Sequence, residues 1–237
     1  MNRLSRRGVH AQVVDLLGQR IIRGEVKPGE VIDLERLLQE LQVSRTVLRE
    51  AIKVLSEKGL LGARPRHGTY VTEREEWQLI DEDVMTWRSS GDPDPLLVHE
   101  LGELRQIFEP AAARLAALRR TDIHLADMAH ALERMRENVA LGDTETVIES
   151  DIAFHRAVLA ATGNELLARF EVMLEAALHA RNRLTLEENK DVHFVDQHAL
   201  VYEAILHGDP SAAQTEMARL MDEALDDAAE IIKRSGG

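Results

Sequence analysis

The chain has no cysteine. That excludes a disulfide framework and any cysteine-ligated zinc finger. Aromatic residues make up only 3% of its 237 residues, too few for the packed faces of a large β-sheet, so helix is favoured. No apolar run reaches the roughly 18 residues of a membrane span. The basic opening MNRLSRRGVH is not followed by the apolar segment of a secretory signal. A cytoplasmic protein without membrane contact is expected. What the chain does have is 44% apolar residues, enough for one large core or two modest ones.

The net charge of −13 is unevenly spread. Residues 1–71 hold 13 Lys and Arg against 8 Asp and Glu, a balance of +5; the rest holds 16 against 34, a balance of −18. A basic head on an acidic body suggests that only the head meets a polyanion.

Within the head, VHAQVVDLLGQRIIRGEV places Val9, Val13, Leu16, Leu17 and Ile21 at helical spacing, and Pro28 and Gly29 then break it. DLERLLQEL reads as a second helix capped by Asp33. A third begins at Ser44 with apolar face Val47, Leu48, Ala51 and Leu55, and Gly59 stops it. GLLGARPRHGTYVTE then looks like a hairpin with Arg64, Arg66 and His67 at its tip. This is the pattern of a winged helix-turn-helix, which lays the start of its third helix in the major groove. Arg45 and Arg49, one turn apart, suit guanine edges and phosphates, and Ser44 and Thr46 suit phosphate. The residues VSRTVLREAIKVLSEKGLL and RHGTYV resemble the DNA-binding domain of GntR-family bacterial repressors, over about residues 9–72. The resemblance implies operator DNA as partner and Arg45, Arg49, His67 and Gly68 as contacts. Many relatives carry an arginine on the second helix, where this chain has Glu35 with Arg36 beside it.

Residues 74–95 separate the head (1–73) from the body (96–237). They hold both tryptophans, Trp77 and Trp87. Leu79, Ile80, Val84, Met85 and Trp87 are expected to form a short helix docking on one of the domains. From Pro95 onward six helical segments follow, an antiparallel all-helical bundle, so the fold is mostly α. Pro110 should kink the first.

Four polar residues fall on inward stripes of this bundle: Arg105, Asp151, His155 and His198. Buried charges are costly unless paired or bound. Asp151, His155 and His198 suit zinc, nickel or manganese, and Arg105 suits a ligand carboxylate; equally, the four could neutralise one another. The order Asp-x3-His, then GN, then QHALVYEAIL before GD, resembles the FCD ligand-binding domain of the FadR branch of the GntR family. That resemblance implies a metal held by one Asp and three His, and a homodimer is expected because a palindromic operator requires two-fold symmetry. The fourth ligand position here is Leu220, with His179, His193, Glu216 and Glu223 as nearby substitutes. Either three residues hold the metal, or Asp151, His155 and His198 bind the effector directly. WQLIDEDVMTW and LRQIFEPAAARLAA are most similar to sugar-acid, galactonate-type operon repressors. A repressor released by a small carboxylate effector is expected, not an enzyme. The alternatives are a metal-dependent enzyme using the Asp/His/His cluster, against which stands the absence of HExxH and of a nucleophile elbow, and a structural nucleoid protein.

Overall fold

The computed structural model of the chain describes residues 8–66, 68–90, 94–185 and 192–235. It divides into two compact units, Met1–Gly91 and Asp92–Gly237.

In the first unit, α1 (Val9–Ile22), α2 (Leu34–Leu41) and α3 (Arg45–Glu57) precede an antiparallel hairpin of β1 (Leu61–Arg64) and β2 (Gly68–Val71). Local chemistry sets each boundary. The Asp33 carboxylate accepts from the Arg36 amide at 3.0 Å, and the Ser44 hydroxyl accepts from the Val47 amide at 3.2 Å. Each satisfies one of the donors that a helix start leaves free. Between them Gln42 adopts a left-handed conformation (φ 51°), which makes the turn between α2 and α3. Gly59 ends α3 at φ +77°, where an added Cβ would lie 2.1 Å from the Glu76 carbonyl oxygen. The apolar faces meet in one core that includes Val13, Leu17, Ile21, Leu48, Leu55, Leu60 and Val71.

A short helix, α4 (Glu82–Ser89), closes this unit. It starts three residues later than the hydrophobic pattern suggests, because Asp81 caps it by accepting from the Asp83 and Val84 amides. Ile80 is therefore left outside the helix and 73% exposed. The helix lies on α1. Trp87 is buried against Gly18, where a Cβ would come within 2.4 Å of the ring, and its Nε1 donates to Asp15 at 3.3 Å. Lys58 reaches across from the end of α3 to both Asp81 and Asp83, at 2.7 Å each.

The second unit is helical throughout the described residues: α5 (Pro95–Arg119), α6 (Asp122–Leu141), α7 (Thr144–Ala161), α8 (Glu165–Ala168), α9 (Glu171–Thr185), α10 (Val192–His207) and α11 (Pro210–Ser235). α11 packs along α5, α6 along α7, and α10 against α5, α6 and α11. α5 runs unbroken through Pro110, whose ring is buried. One of the six expected helical segments is split into α8 and α9 at Arg169–Phe170. Phe170 there packs on Phe108, with ring centres 5.3 Å apart. No described helix is long and apolar enough to cross a membrane.

An exposed basic surface and a buried charged cluster

The sequence-predicted DNA-contact residues lie on the surface of the first unit. α3 turns Leu48, Ala51 and Leu55 into the core, which leaves Arg45, Thr46 and Arg49 outside, with the capping residue Ser44 at the same end. Arg64, Arg66 and Gly68 are exposed on the wing. The Arg64 guanidinium lies over the Tyr70 ring at 4.3 Å, and Arg66 turns the hairpin in a left-handed conformation, φ 67°. His67 lies outside the described residues. Arg45 also has a partner that the sequence did not suggest. Its two terminal nitrogens donate to the two oxygens of Glu35, at 2.7 and 2.9 Å.

In the second unit, α5, α7 and α10 bring Arg105, Asp151, His155 and His198 together in the interior, each 4% exposed or less. A fifth member, Glu109, was not foreseen. It is 2% exposed and contacts both the Arg105 Nε and the His155 Nδ1. Its spacing of four from Arg105 on a helix was the available signal.

The imidazoles are held by their far nitrogens. The His198 Nδ1–H donates to the Phe194 carbonyl at 2.8 Å. The His155 Nδ1 faces the Glu109 carboxylate. In each ring this turns Nε2 toward Asp151, where it can share a proton with the carboxylate or, once deprotonated, offer a lone pair to a metal ion. The Asp151 Oδ1 lies 3.0 Å from the His198 Nε2 and 3.2 Å from the His155 Nε2; the two nitrogens are 3.3 Å apart. Phe154 and Phe194 wall the pair of rings with tilted and edge-on contacts.

Two electron-rich nitrogens facing one carboxylate oxygen repel unless a cation or a proton lies between them. The observed spacings match the ~3.3 Å edge of a tetrahedron of ligands about 2.0–2.1 Å from a zinc ion. Anchoring each metal-ligating imidazole through its other nitrogen is the usual outer arrangement of such sites. The Asp151 Oδ2 is buried with no hydrogen-bond partner, a further free donor atom. These three residues are the one group among those described that could hold a metal ion, and by donor chemistry and spacing they fit one. Leu220, at the expected fourth position, is 2% exposed and belongs to the apolar core. Of the nearby substitutes, Glu216 pairs with Arg219 and Glu223 with His193, and His179 is exposed; none joins the cluster.

The electrostatics are tightly linked. Burial alone would push the Glu109 carboxyl up, but Arg105 and His155 outweigh it and hold it down to about 2. Burial likewise opposes ionisation of Asp151, yet hydrogen bonds from the two imidazoles hold it well below the usual carboxylate range. Burial lowers His198 and prevails. Burial also lowers His155, but Glu109 and Asp151 raise it further than burial and Arg105 together depress it. Arg105 stands at the rim: its Nη2 is 3.2 Å from the His155 Nε2. It also lines a small cavity with Val98, Gly102, Ala177, Met221, Ala224 and Leu225.

Two family descriptions match this chain. The one for bacterial regulatory proteins of the gntR family matches residues 10–71, and the one for the FCD domain matches residues 100–223. The galactonate operon transcriptional repressor of Escherichia coli K12 is 33% identical over 207 residues, covering 86% of this chain and 89% of that protein. The regulator LutR of Bacillus subtilis is 31% identical over 204 residues, covering 83% and 90%. Among solved structures, Streptococcus agalactiae GntR matches with TM-score 0.52 and 25% identity over 92% of this chain and 99% of that one. Listeria monocytogenes Lar, with TM-score 0.64 and 20% identity over 94% and 98%, shares the fold. The matched families and relatives are transcriptional regulators, so the enzyme reading has no support.

Proposed function

We propose a function from one premise: the chain belongs to the GntR family of bacterial regulatory proteins and carries an FCD domain. It is a transcriptional regulator. Its finer reading is a homodimeric repressor whose two α3 helices meet a two-fold symmetric operator in the cytoplasm. Ser44, Arg45, Thr46, Arg49 and the wing residues Arg64, Arg66, His67 and Gly68 make the contacts. A small carboxylate releases it. The coupling between the two sites would be of the usual ~1–3 kcal/mol.

The observation that carries the effector site is the convergence of Asp151 Oδ1 with the two imidazole Nε2 atoms at 3.0–3.3 Å beside Arg105. With both imidazoles neutral, as metal binding requires, two carboxylates against one guanidinium leave the cluster with a single negative charge. A divalent cation held by Asp151, His155 and His198 turns that to a single positive charge, which suits a carboxylate. When bound, the cation supplies a Lewis-acidic anchor for the effector's oxygen atoms. Arg105 then offers its remaining N–H groups to the same carboxylate from the cavity side.

The similarity to a galactonate operon repressor makes a hexonate the first effector to try. The aliphatic cavity wall favours a second reading, a short hydroxy acid such as lactate with an apolar end. Thermal-shift titration of the zinc-loaded chain with galactonate, dicarboxylates and lactate separates them; stabilisation only by acyl-CoA overturns both. In gel shifts on a duplex selected from a random pool, the active acid should release the complex. Arg45→Ala should abolish specific binding. The double variant Arg105→Gln with Glu109→Gln should keep DNA binding and lose the response to the acid.

A further inference from the structure

Arg45 and Arg49 share the exposed side of α3 but differ in setting. Arg49 makes no ion pair among the described residues. Arg45 is gripped end-on by Glu35 from α2, through two parallel hydrogen bonds of 2.7 and 2.9 Å. Both side chains are open to water, 72% and 64% exposed. A pair so exposed contributes little to stability, since screening and lost rotamer freedom offset the attraction. The geometry is nonetheless bidentate and spans the turn between the two helices. Arg45 is also the first residue of its helix, where the helix dipole disfavours a cation. Glu35, in the first turn of α2, compensates.

We infer that Glu35 is a positioning residue for sequence reading: its carboxylate holds the Arg45 fork so that the adjacent Nε edge meets a base pair. A guanidinium has five N–H groups. The two directed at Glu35 come from the terminal nitrogens, which leaves the Nε–H and one neighbouring N–H as a parallel pair. Such a pair matches the O6 and N7 acceptors of guanine in the major groove. Without the carboxylate, Arg45 is free to turn to the nearest phosphate, a contact that adds affinity but carries no sequence information. Glu35 also places a negative charge beside the phosphates, which weakens indiscriminate binding. The inference rests on α3 being the recognition helix.

The test uses the full chain as wild type, Glu35→Ala, Glu35→Gln and Arg45→Ala. A preferred duplex is selected from a random pool with the wild type. Affinities for that duplex and for its scrambled version are then measured across salt. Glu35→Ala should cut the ratio of specific to scrambled affinity roughly tenfold, without weakening binding to the scrambled duplex. Reselection with Glu35→Ala should lose a guanine at one position per half-site, the position that Arg45→Ala also loses. Glu35→Gln, keeping one neutral acceptor, should fall between. If Arg45→Ala loses the motif while Glu35→Ala keeps the ratio or raises it, the positioning role is overturned. If Arg45→Ala keeps the motif, the recognition-helix reading fails and the inference falls with it. Unchanged melting temperatures show that the variants are folded.

Discussion

Two of the molecule's Arg–Glu pairs sit in opposite settings. In the first unit Arg45 and Glu35 meet on the surface, 72% and 64% exposed. In the second, Arg105 and Glu109 meet in the interior, their side chains 5% and 2% exposed. Water decides what each pair can do. The exposed one is worth little to folding, and its value lies in where it holds a guanidinium. The buried one cannot be broken cheaply, because each charge has only the cluster to compensate it. It fixes the His155 ring and sets the charge of the cavity wall. Surface pairs can be spent on recognition; buried pairs commit a core to a function.

The sharpest break in this comparison is the loss of one buried partner. Arg105→Ala strands Glu109 in the core and should cost about 3–5 kcal/mol in urea unfolding. The double variant Arg105→Met with Glu109→Leu should recover most of that loss. If the single variant costs no more than a surface change, the burial argument is wrong. Next in size is Gly18→Ala, which drives a methyl into the Trp87 ring 2.4 Å away. Overpacking of this kind costs about 1–3 kcal/mol. Calorimetry would measure it, and altered tryptophan emission would show that α4 has left α1. At the other end, Glu35→Ala should change stability by less than about 1 kcal/mol, however strongly it changes DNA selection.

The smallest effect is a pH dependence at Lys58. Burial lowers its ammonium, but Asp81 and Asp83 raise it further, so the folded value lies above 10.5. Protonation therefore favours the folded state. The contribution is complete below pH 10.5 and is lost as pH rises through the folded value. Chemical unfolding across that window should show the decline, and Lys58→Met should remove it.

The helices and their inward faces were legible because burial repeats with the helical period. That is why Arg105, Asp151, His155 and His198 are recognisable as inward-facing from the sequence. Glu109 was missed although it stands four residues after Arg105. The pair is one of several Arg-x3-Glu spacings in a charged helical chain, and spacing alone does not say which of them is buried. The break before Glu171 was equally hidden: Phe170 there packs on the Phe108 ring, 62 positions earlier in the chain. The pairing of Glu35 had no signal in the sequence, because periodicity relates residues within a helix. Its partner Arg45 is on the next one, beyond a left-handed Gln42. Tertiary pairing of this sort has no local signal.

The central claim is that the buried Asp151, His155 and His198 form a cation site and not merely a self-neutralised core. Elemental analysis tests this most directly. Untagged protein is dialysed against zinc and then against metal-free buffer. The account predicts one zinc per wild-type chain and almost none in His198→Ala that remains folded by circular dichroism. Wild-type protein retaining no zinc, nickel or manganese after loading with each would contradict it.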